Sequence, residues 1–201
     1  MGFDLYGVNP KIKEGTEKPK DIDWRNTTEK ERDEHFEAVE KFESVNKGVY
    51  FRNNVWWWRR LADYILDHTK CVDEVDFDKW HENGGHKVDA ETAEQIANQL
   101  EHLIATGHAE KYKQEIDAEI KKAEEHNNKV EQMLSELRLE VAKVTGKDAE
   151  KIAPADYPNP LKEKWHKIID QQDYRANYPF NIDNVKEFIE FARNSGGFKI
   201  C

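Results

Sequence analysis

The chain of 201 residues carries a formal net charge of −10, with 36% charged and 11% aromatic residues. Its aromatic content excludes a disordered polypeptide, and the lack of any run of about 18 apolar residues excludes a transmembrane helix. The acidic balance argues against binding to a DNA or RNA polymer, because like charges repel.

Hydrophobic periodicity predicts a mainly helical α+β fold, with a small sheet formed near the two termini. Thr28 and Glu31 have the spacing of a capping box. Asn54 and Asp89 are residue types that cap helix N-termini, and Gly196 is typical of a helix stop. The predicted elements, in chain order, are a strand over 2–8, a loop over 11–26, a helix over 28–48, a strand over 49–51, a helix over 55–69, a helix over 89–107, a helical pattern over 109–144, a helix over 161–172, a helix after residue 177 that includes 185–192 and stops at Gly196, and a strand over 198–201.

Several junctions carry specific expectations. Asn159 and Pro160 have the residue types of an N-cap and an N1 position, and we predict that they start the helix that continues over 161–172. The final stretch FKIC is predicted to pair with FDLYG or with VYF. Residues 71–87 are predicted as a loop with a short element near 77–80. Four histidines occupy polar helical positions and are predicted to lie on the surface: His102, His108, His126 and His166.

Residues 109–144 show a heptad pattern with one polar member, Asn127. An unbroken helix of this length would measure about 50 Å and would project toward a partner or a second copy. Asn127 and Asn128 are poor helix formers, which favours a break and a helical hairpin. We predict one compact domain over 1–107 and 161–201, and a helical excursion with a Pro-rich connector over 108–160. The seam residues are Tyr112, Ile116, Ile120, Ala123, Asn127, Val130, Leu134, Leu137, Val141 and Val144.

Three stretches, MGFDLYGVNP, GVYFRNNVWWWRRL and YPFNIDNVKEFIEFARNSGGFKIC, occur in this order. They resemble a family of small bacteriophage and prophage proteins that open with MGxDxYGxxP, continue with YFRNNVWWWRPL and end in a helix followed by GGF. The resemblance implies a phage setting and brings no established activity. Many such proteins carry paired CxxC motifs suggestive of zinc, which this chain lacks, and Arg60 stands where they have Pro.

The stretch YFRNNVWWWRRL, residues 50–61, predicts a ligand site. Arginine binds phosphate or carboxylate through two parallel bonds, aromatic faces stack on bases, and a helix N-terminus favours anions. We therefore predict a small anionic, nucleotide-derived ligand, and in a phage setting the non-catalytic sequestration of a host immune signal. The predicted ligand-binding residues are Tyr6, Arg52, Asn53, Asn54, Trp57, Arg59 and Arg60.

A structural interpretation of the same stretch stays open, in which the tryptophans, above all Trp58, fill the core and Arg59 pairs with Asp63. Enzyme activity is less favoured, because no spacing brings Tyr6, Arg52, Asp63 and His81 together. Neither a phosphate-binding loop nor a nucleophile motif is present. We expect no cofactor and no metal, since the spacing of the Cys and His residues matches no standard site.

The alternative function is an acidic inhibitor or adaptor that docks on a host protein. Residues 61–106 contain eleven acidic residues against three basic ones, a net of −8. Such a surface would attract a basic partner. Cys71 and Cys201 are too few for a disulfide framework, so the protein is predicted to be cytoplasmic. The predicted docking residues are Asp73, Asp76, Asp78, Glu82, Glu91 and Glu94.

Overall fold

The computed structural model describes residues 2–201, which form seven α-helices and a four-stranded antiparallel sheet. This confirms the predicted mainly helical α+β fold. No helix within 2–201 is both long and apolar enough to cross a membrane. The strands are β1 (Gly2–Gly7), β2 (Tyr50–Asn54), β3 (His86–Val88) and β4 (Phe198–Ile200). The helices are α1 (Glu29–Val45), α2 (Val55–His68), α3 (Phe77–Trp80), α4 (Ala90–Ala105), α5 (His108–Thr145), α6 (Leu161–Ile169) and α7 (Ile182–Ser195).

The sheet has the strand order β2-β1-β4-β3, so β1 lies between β2 and the last strand of the chain. Leu5 is paired with Phe51 on one side and with Ile200 on the other. The final strand therefore pairs with the first one, which was one of the two predicted partners. The strand β3 was not predicted, because it is short and places only Val88 in the buried core.

One face of the sheet and the helices α2, α4 and α7 form the main core. Phe51 contacts Phe188 and Phe191 of α7, with ring centroids 5.5 and 5.6 Å apart. Burying one such ring stabilises the fold by about 1.5–3 kcal/mol. The buried sheet residues are Phe3, Leu5, Phe51, Val88, Phe198 and Ile200. Because side chains alternate along a strand, their neighbours lie on the opposite face.

Most helix ends follow their predicted caps. Thr28 and Glu31 form both bonds of a capping box, and Asp89 caps α4. Gly196 ends α7 with a left-handed φ of 61°. The predicted cap of α6 is wrong: the helix begins at Leu161, and Pro160 rather than Asn159 occupies the cap position, without a side-chain bond.

Backbone hydrogen bonds explain why the first turn of α6 has no side-chain cap. The carbonyl oxygen of Pro158 accepts a hydrogen bond from the N–H of Lys162, and the carbonyl oxygen of Pro160 accepts one from Lys164. These bonds satisfy donors of the first turn, so no side-chain cap is needed there.

The predicted break in the long helix is also wrong, because α5 is continuous over 38 residues. The amide group of Asn127 donates to the carbonyl oxygen of Asp173 at 2.9 Å and accepts from its N–H at 2.8 Å. These two bonds satisfy the side-chain amide of Asn127, a poor helix former, with backbone groups that lie outside the helix. The low intrinsic propensity of asparagine is therefore offset by tertiary contacts.

The chain divides into two compact units, one formed by residues up to Lys113 together with Phe180–Cys201, the other by Gln114–Pro179. In the second unit, the later part of the heptad seam packs on α6 and the connector before it. Val144 lies outside this seam and is 65% exposed. The buried cluster consists of Val130, Leu134, Leu137, Val141, Ile152, Tyr157, Leu161 and Ile168. The predicted domain bounds at 107 and 161, and oligomerisation through the helix, stay predictions.

Candidate functional site

The three consecutive tryptophans, Trp56 to Trp58, are divided between the core and the surface. Trp58 is fully buried, stacks on Trp80 with ring planes 8° apart, and donates its Nε1 hydrogen to the carbonyl oxygen of Trp80 at 2.7 Å. Trp56 and Trp57 are 38% and 36% exposed. The structural interpretation is therefore confirmed for Trp58, while Trp57 remains accessible to a ligand.

The two asparagines of this stretch have different surroundings. Asn54 is the N-cap of α2, and its Oδ1 accepts a hydrogen bond from the N–H of Trp57 at 2.9 Å. Asn53 points to the buried face of the sheet and is 6% exposed. Its Nδ2 group has no hydrogen-bond partner among residues 2–201. Asn54 thus stabilises the helix start, and Asn53 is covered by the core.

The three arginines do not converge on one point. Arg52 is exposed on β2, and Arg59 is exposed on α2. Arg60 is half-buried and forms a hydrogen bond with Tyr112, whose pKa is raised by burial and lowered in part by this bond. Of the four residues considered for an enzyme, the structure joins only two by an ion pair. Asp63 pairs with His81, at an Oδ1–Nε2 distance of 3.2 Å, rather than with Arg59.

His108, predicted to lie on the surface, is partly buried, because its side chain lies against a buried aromatic cluster. Its Nδ1 atom lies 3.0 Å from the hydroxyl oxygen of Tyr64, which is fully buried. The ring of Tyr64 also lies 4.7 Å from those of Tyr112 and Phe180. No local pattern predicts this contact, because His108 and Tyr64 lie on different helices.

Tyr6 and Arg52 lie on the face of the sheet opposite the core, which we call the open face. The register pairs Tyr6 with Tyr50 and Lys199, and Lys199 with Lys87, so one row crosses all four strands. A second row pairs Asp4 with Arg52. The side chains of the open face are those of Asp4, Tyr6, Tyr50, Arg52, Lys87 and Lys199.

The open face combines aromatic rings with an excess of positive charge. The rings of Tyr6 and Tyr50 lie 5.3 Å apart, and Tyr6 is 48% exposed. Asp4 accepts a hydrogen bond from the Tyr50 hydroxyl group and pairs with Arg52, its Oδ1 atom 3.5 Å from Nε. Burial and this bond to Asp4 raise the pKa of Tyr50, so Tyr50 stays a donor at neutral pH. The pKa of Tyr6 is also raised, mainly by burial and by Asp4.

A groove of about 790 Å³ runs along the outer edge of β2. We call it the β2-edge groove. Its apolar part is formed by Phe51, Ile104, Ile189 and Phe191. Its remaining lining comes from Glu40, Glu43, Ser44, Lys47, Tyr50, Arg52, Glu101, Lys186, Glu187, Glu190 and Arg193. The sequence did not predict this groove, since it joins helices that are distant in the chain.

The predicted docking residues lie in the stretch from the end of α2 to α4. The Nζ atom of Lys79 lies 2.6 Å from Oδ1 of Asp76. The hydrogen bond from Lys79, together with its charge, lowers the pKa of Asp76. Glu91 on α4 accepts a hydrogen bond from Gln95. Five of the six side chains are exposed: Asp73, Asp78, Glu82, Glu91 and Glu94. Their role in docking stays a prediction.

The sequence prediction missed four of the six residues of the open face: Asp4, Tyr50, Lys87 and Lys199. Tyr50 and Lys199 could have been found from strand alternation, which places them beside Tyr6 once the pairing is known. Lys87 lies on β3, which had no clear strand signal. No protein-family model, curated protein or solved structure matches the chain, so the resemblance to phage proteins stays a prediction.

Proposed function

We propose that the protein is a non-catalytic binding protein that takes a small anionic ligand with an aromatic ring, of the nucleotide class, on the open face of its sheet. The observation that carries this proposal is the composition of the open face. Three cationic side chains, Arg52, Lys87 and Lys199, share it with two tyrosines and only one carboxylate. In a chain with a net charge of −10, this face is a local exception.

Each group has a chemical role in this proposal. The exposed ring of Tyr6 offers a surface on which a base can stack, which contributes about 1–3 kcal/mol per base in single-strand binders. The guanidinium group of Arg52 binds a phosphate through two parallel bonds. Its present ion pair with Asp4 is long and exposed, so a phosphate can replace Asp4 at little cost.

The proposal keeps Tyr6 and Arg52 from the sequence prediction and adds Tyr50, Lys87 and Lys199. Asn54 stays outside it because its oxygen caps α2. The other predicted residues, which lie in the core or on α2, are not needed for it: Asn53, Trp57, Arg59 and Arg60. Sequestration of a signal nucleotide would require binding alone.

The first test is native mass spectrometry on protein purified from the cells that make it, compared with the denatured mass. An additional mass of a few hundred daltons is expected, and its fragmentation would identify the ligand class. The same spectrum counts the subunits. Protein without bound mass is then titrated calorimetrically with mononucleotides and cyclic dinucleotides, and absence of binding to all of them would contradict the proposal.

Variants locate the site. Arg52→Ala combined with Lys199→Ala should weaken binding about tenfold or more, because two charge-assisted contacts are lost. The matched control is Lys121→Ala with Lys143→Ala, two exposed lysines of α5, which should bind as the unchanged protein does. Tyr6→Ala should weaken binding while Tyr6→Phe, which keeps the ring, should not. Equal affinities in all variants would exclude the open face.

A further inference from the structure

The outer edge of β2 carries unused backbone groups. Asp4 exchanges two backbone hydrogen bonds with Cys201, both 2.8 Å long, so its N–H and C=O point toward β4. Gly7, three residues on, donates to the carbonyl oxygen of Val49 on the β2 side. In an antiparallel pair these directions alternate. Tyr50 and Arg52, opposite Tyr6 and Asp4, therefore direct their N–H and C=O groups away from β1.

These groups are available for pairing. Within residues 2–201 no hydrogen bond reaches the backbone N–H or C=O of Tyr50 or Arg52. β2 is the terminal strand of the sheet on this side, and the β2-edge groove opens along it. A strand edge with unpaired groups is a template for another extended segment.

The charges of the β2-edge groove indicate what kind of segment fits. Three of its four cations are in ion pairs, and Lys47 is the exception among the lining residues. Arg193 pairs with Glu101 at 2.9 Å and Lys186 with Asp183 at 2.9 Å. Arg52 pairs with Asp4. Four glutamates of the groove form no salt bridge with any residue from 2 to 201: Glu40, Glu43, Glu187 and Glu190.

Glu43 shows the effect of this surplus most directly. Burial raises the pKa of its carboxyl group, and the charge of Lys18 offsets this only in part. A carboxylate that has lost water without gaining a close cation is stabilised when a cation binds beside it. The groove therefore favours a positively charged occupant over an anionic one.

We propose that the β2-edge groove binds an extended segment of a partner protein that alternates basic and apolar side chains, added to β2 as a fifth strand. Its backbone would bond to Tyr50 and Arg52. Its apolar side chains would contact Phe51 and Ile189. Its basic side chains would start on the opposite side of the added strand, and their long stems would fold over its edge to reach the glutamates, as the side chain of Arg52 reaches the groove from the open face. Strand addition of this kind takes affinity from backbone bonds and specificity from alternate side chains. This partner site shares Tyr50 and Arg52 with the open face: the added strand would bind their backbone groups, whereas the proposed anionic ligand would bind their side chains.

The test uses a fluorescein-labelled octapeptide of alternating lysine and valine, measured by fluorescence anisotropy at about 0.15 M salt to limit unspecific attraction. It should bind, while the peptide of alternating glutamate and valine should not. Two further peptides carry N-methyl groups on all lysines or on all valines. Only one set of N–H groups faces β2, so one methylated peptide should lose binding and the other should retain it. Binding of both would overturn strand addition.

Protein variants test the location. Glu187→Lys with Glu190→Lys should weaken binding about tenfold, since two attractive charges become repulsive. Glu82→Lys with Glu91→Lys makes the same charge change outside the groove and should leave binding intact. Circular dichroism checks that both variants are folded. The reverse pattern would overturn the groove proposal and place the peptide on the acidic stretch.

A third pair of variants isolates the strand edge. Arg52→Pro removes the outward N–H, a change that edge strands tolerate, while Arg52→Ala keeps this donor. Affinity for the lysine–valine peptide should fall in the first variant relative to the second. Equal affinities, with both proteins folded, would show that the backbone of β2 does not take part.

Discussion

Tyr64 is fully buried, with its hydroxyl oxygen 3.0 Å from Nδ1 of His108. Burial disfavours the tyrosinate and raises the pKa of Tyr64 to about 12, and the neighbouring Tyr112 adds to the shift. In the unfolded chain a tyrosine titrates near pH 10. The stability linked to Tyr64 is therefore fully present below about pH 10 and is lost as the pH rises toward about 12.

The variant Tyr64→Phe tests this linkage. At pH 7 we expect it to be less stable by about 1 kcal/mol, because the contact with His108 is lost. Between about pH 10 and 12 the unchanged protein should lose more stability than the variant, so the difference should shrink. Urea unfolding at a series of pH values measures both curves. A constant difference from pH 7 to 11.5 would contradict the assigned pKa shift.

For the helices, the sequence predicted those features that depend on contacts between residues close together in the chain. The caps Thr28, Asn54 and Asp89 bond to N–H groups three residues away, so their spacing is visible in the sequence. The continuity of α5 was not predictable in this way, because the partner of Asn127 lies 46 residues further along. The N-terminal caps of α1, α2 and α4 were therefore found, whereas the continuity of α5, which depends on a distant loop, was missed.

The candidate site shows the same limit. Tyr6 and Arg52 were predicted from their chemistry, but so was Asn53, which the structure buries because it alternates with Arg52 along β2. Lys87 could not be predicted as part of the site, because it lies on β3, a three-residue strand whose position is set by its pairing with β4. The β2-edge groove required the packing of α1, α4 and α7 around β2, which no local pattern encodes.

The variant Asn127→Ala tests the tertiary support of α5. Alanine raises helix propensity, so the helical signal in circular dichroism should not fall. The N–H of Asp173 loses its acceptor, and its hydrogen exchange should become faster by about tenfold. The neighbouring Asn128→Ala, at an exposed position, serves as control and should leave this amide protected. If the amide of Asp173 stays equally protected in the Asn127 variant, the loop around Asp173 is ordered without the contact to Asn127.

At the scale of the whole molecule, each compact unit has its own buried residues. The unit that contains the sheet is centred on residues such as Trp58 and Phe188, whereas the unit over Gln114–Pro179 contains the cluster around Leu137. Stability need not be uniform across such a chain, because regions with separate cores can open separately.

The variant Leu137→Ala should lower the stability of the second unit by about 2–5 kcal/mol, because it leaves a cavity in that cluster. Leu139→Ala, two residues further on at a 58% exposed position, should change it by less than about 1 kcal/mol. Hydrogen exchange should become faster within 114–179 and stay unchanged at the amides of Leu5 and Phe198. Equal acceleration in both units would show that they unfold together.

The pairing of β1 with β4 has a consequence for folding during synthesis. Gly7 is paired with Phe198, so two strands made about 190 residues apart must meet before the sheet is complete. At a synthesis rate of about 5–20 residues per second, β1 waits about 10–40 s for its neighbour. Throughout this time one edge of β1 stays open on the nascent chain, which is when such an edge can pair wrongly. The sheet therefore cannot be completed until β4 has been made, about 190 residues after β1.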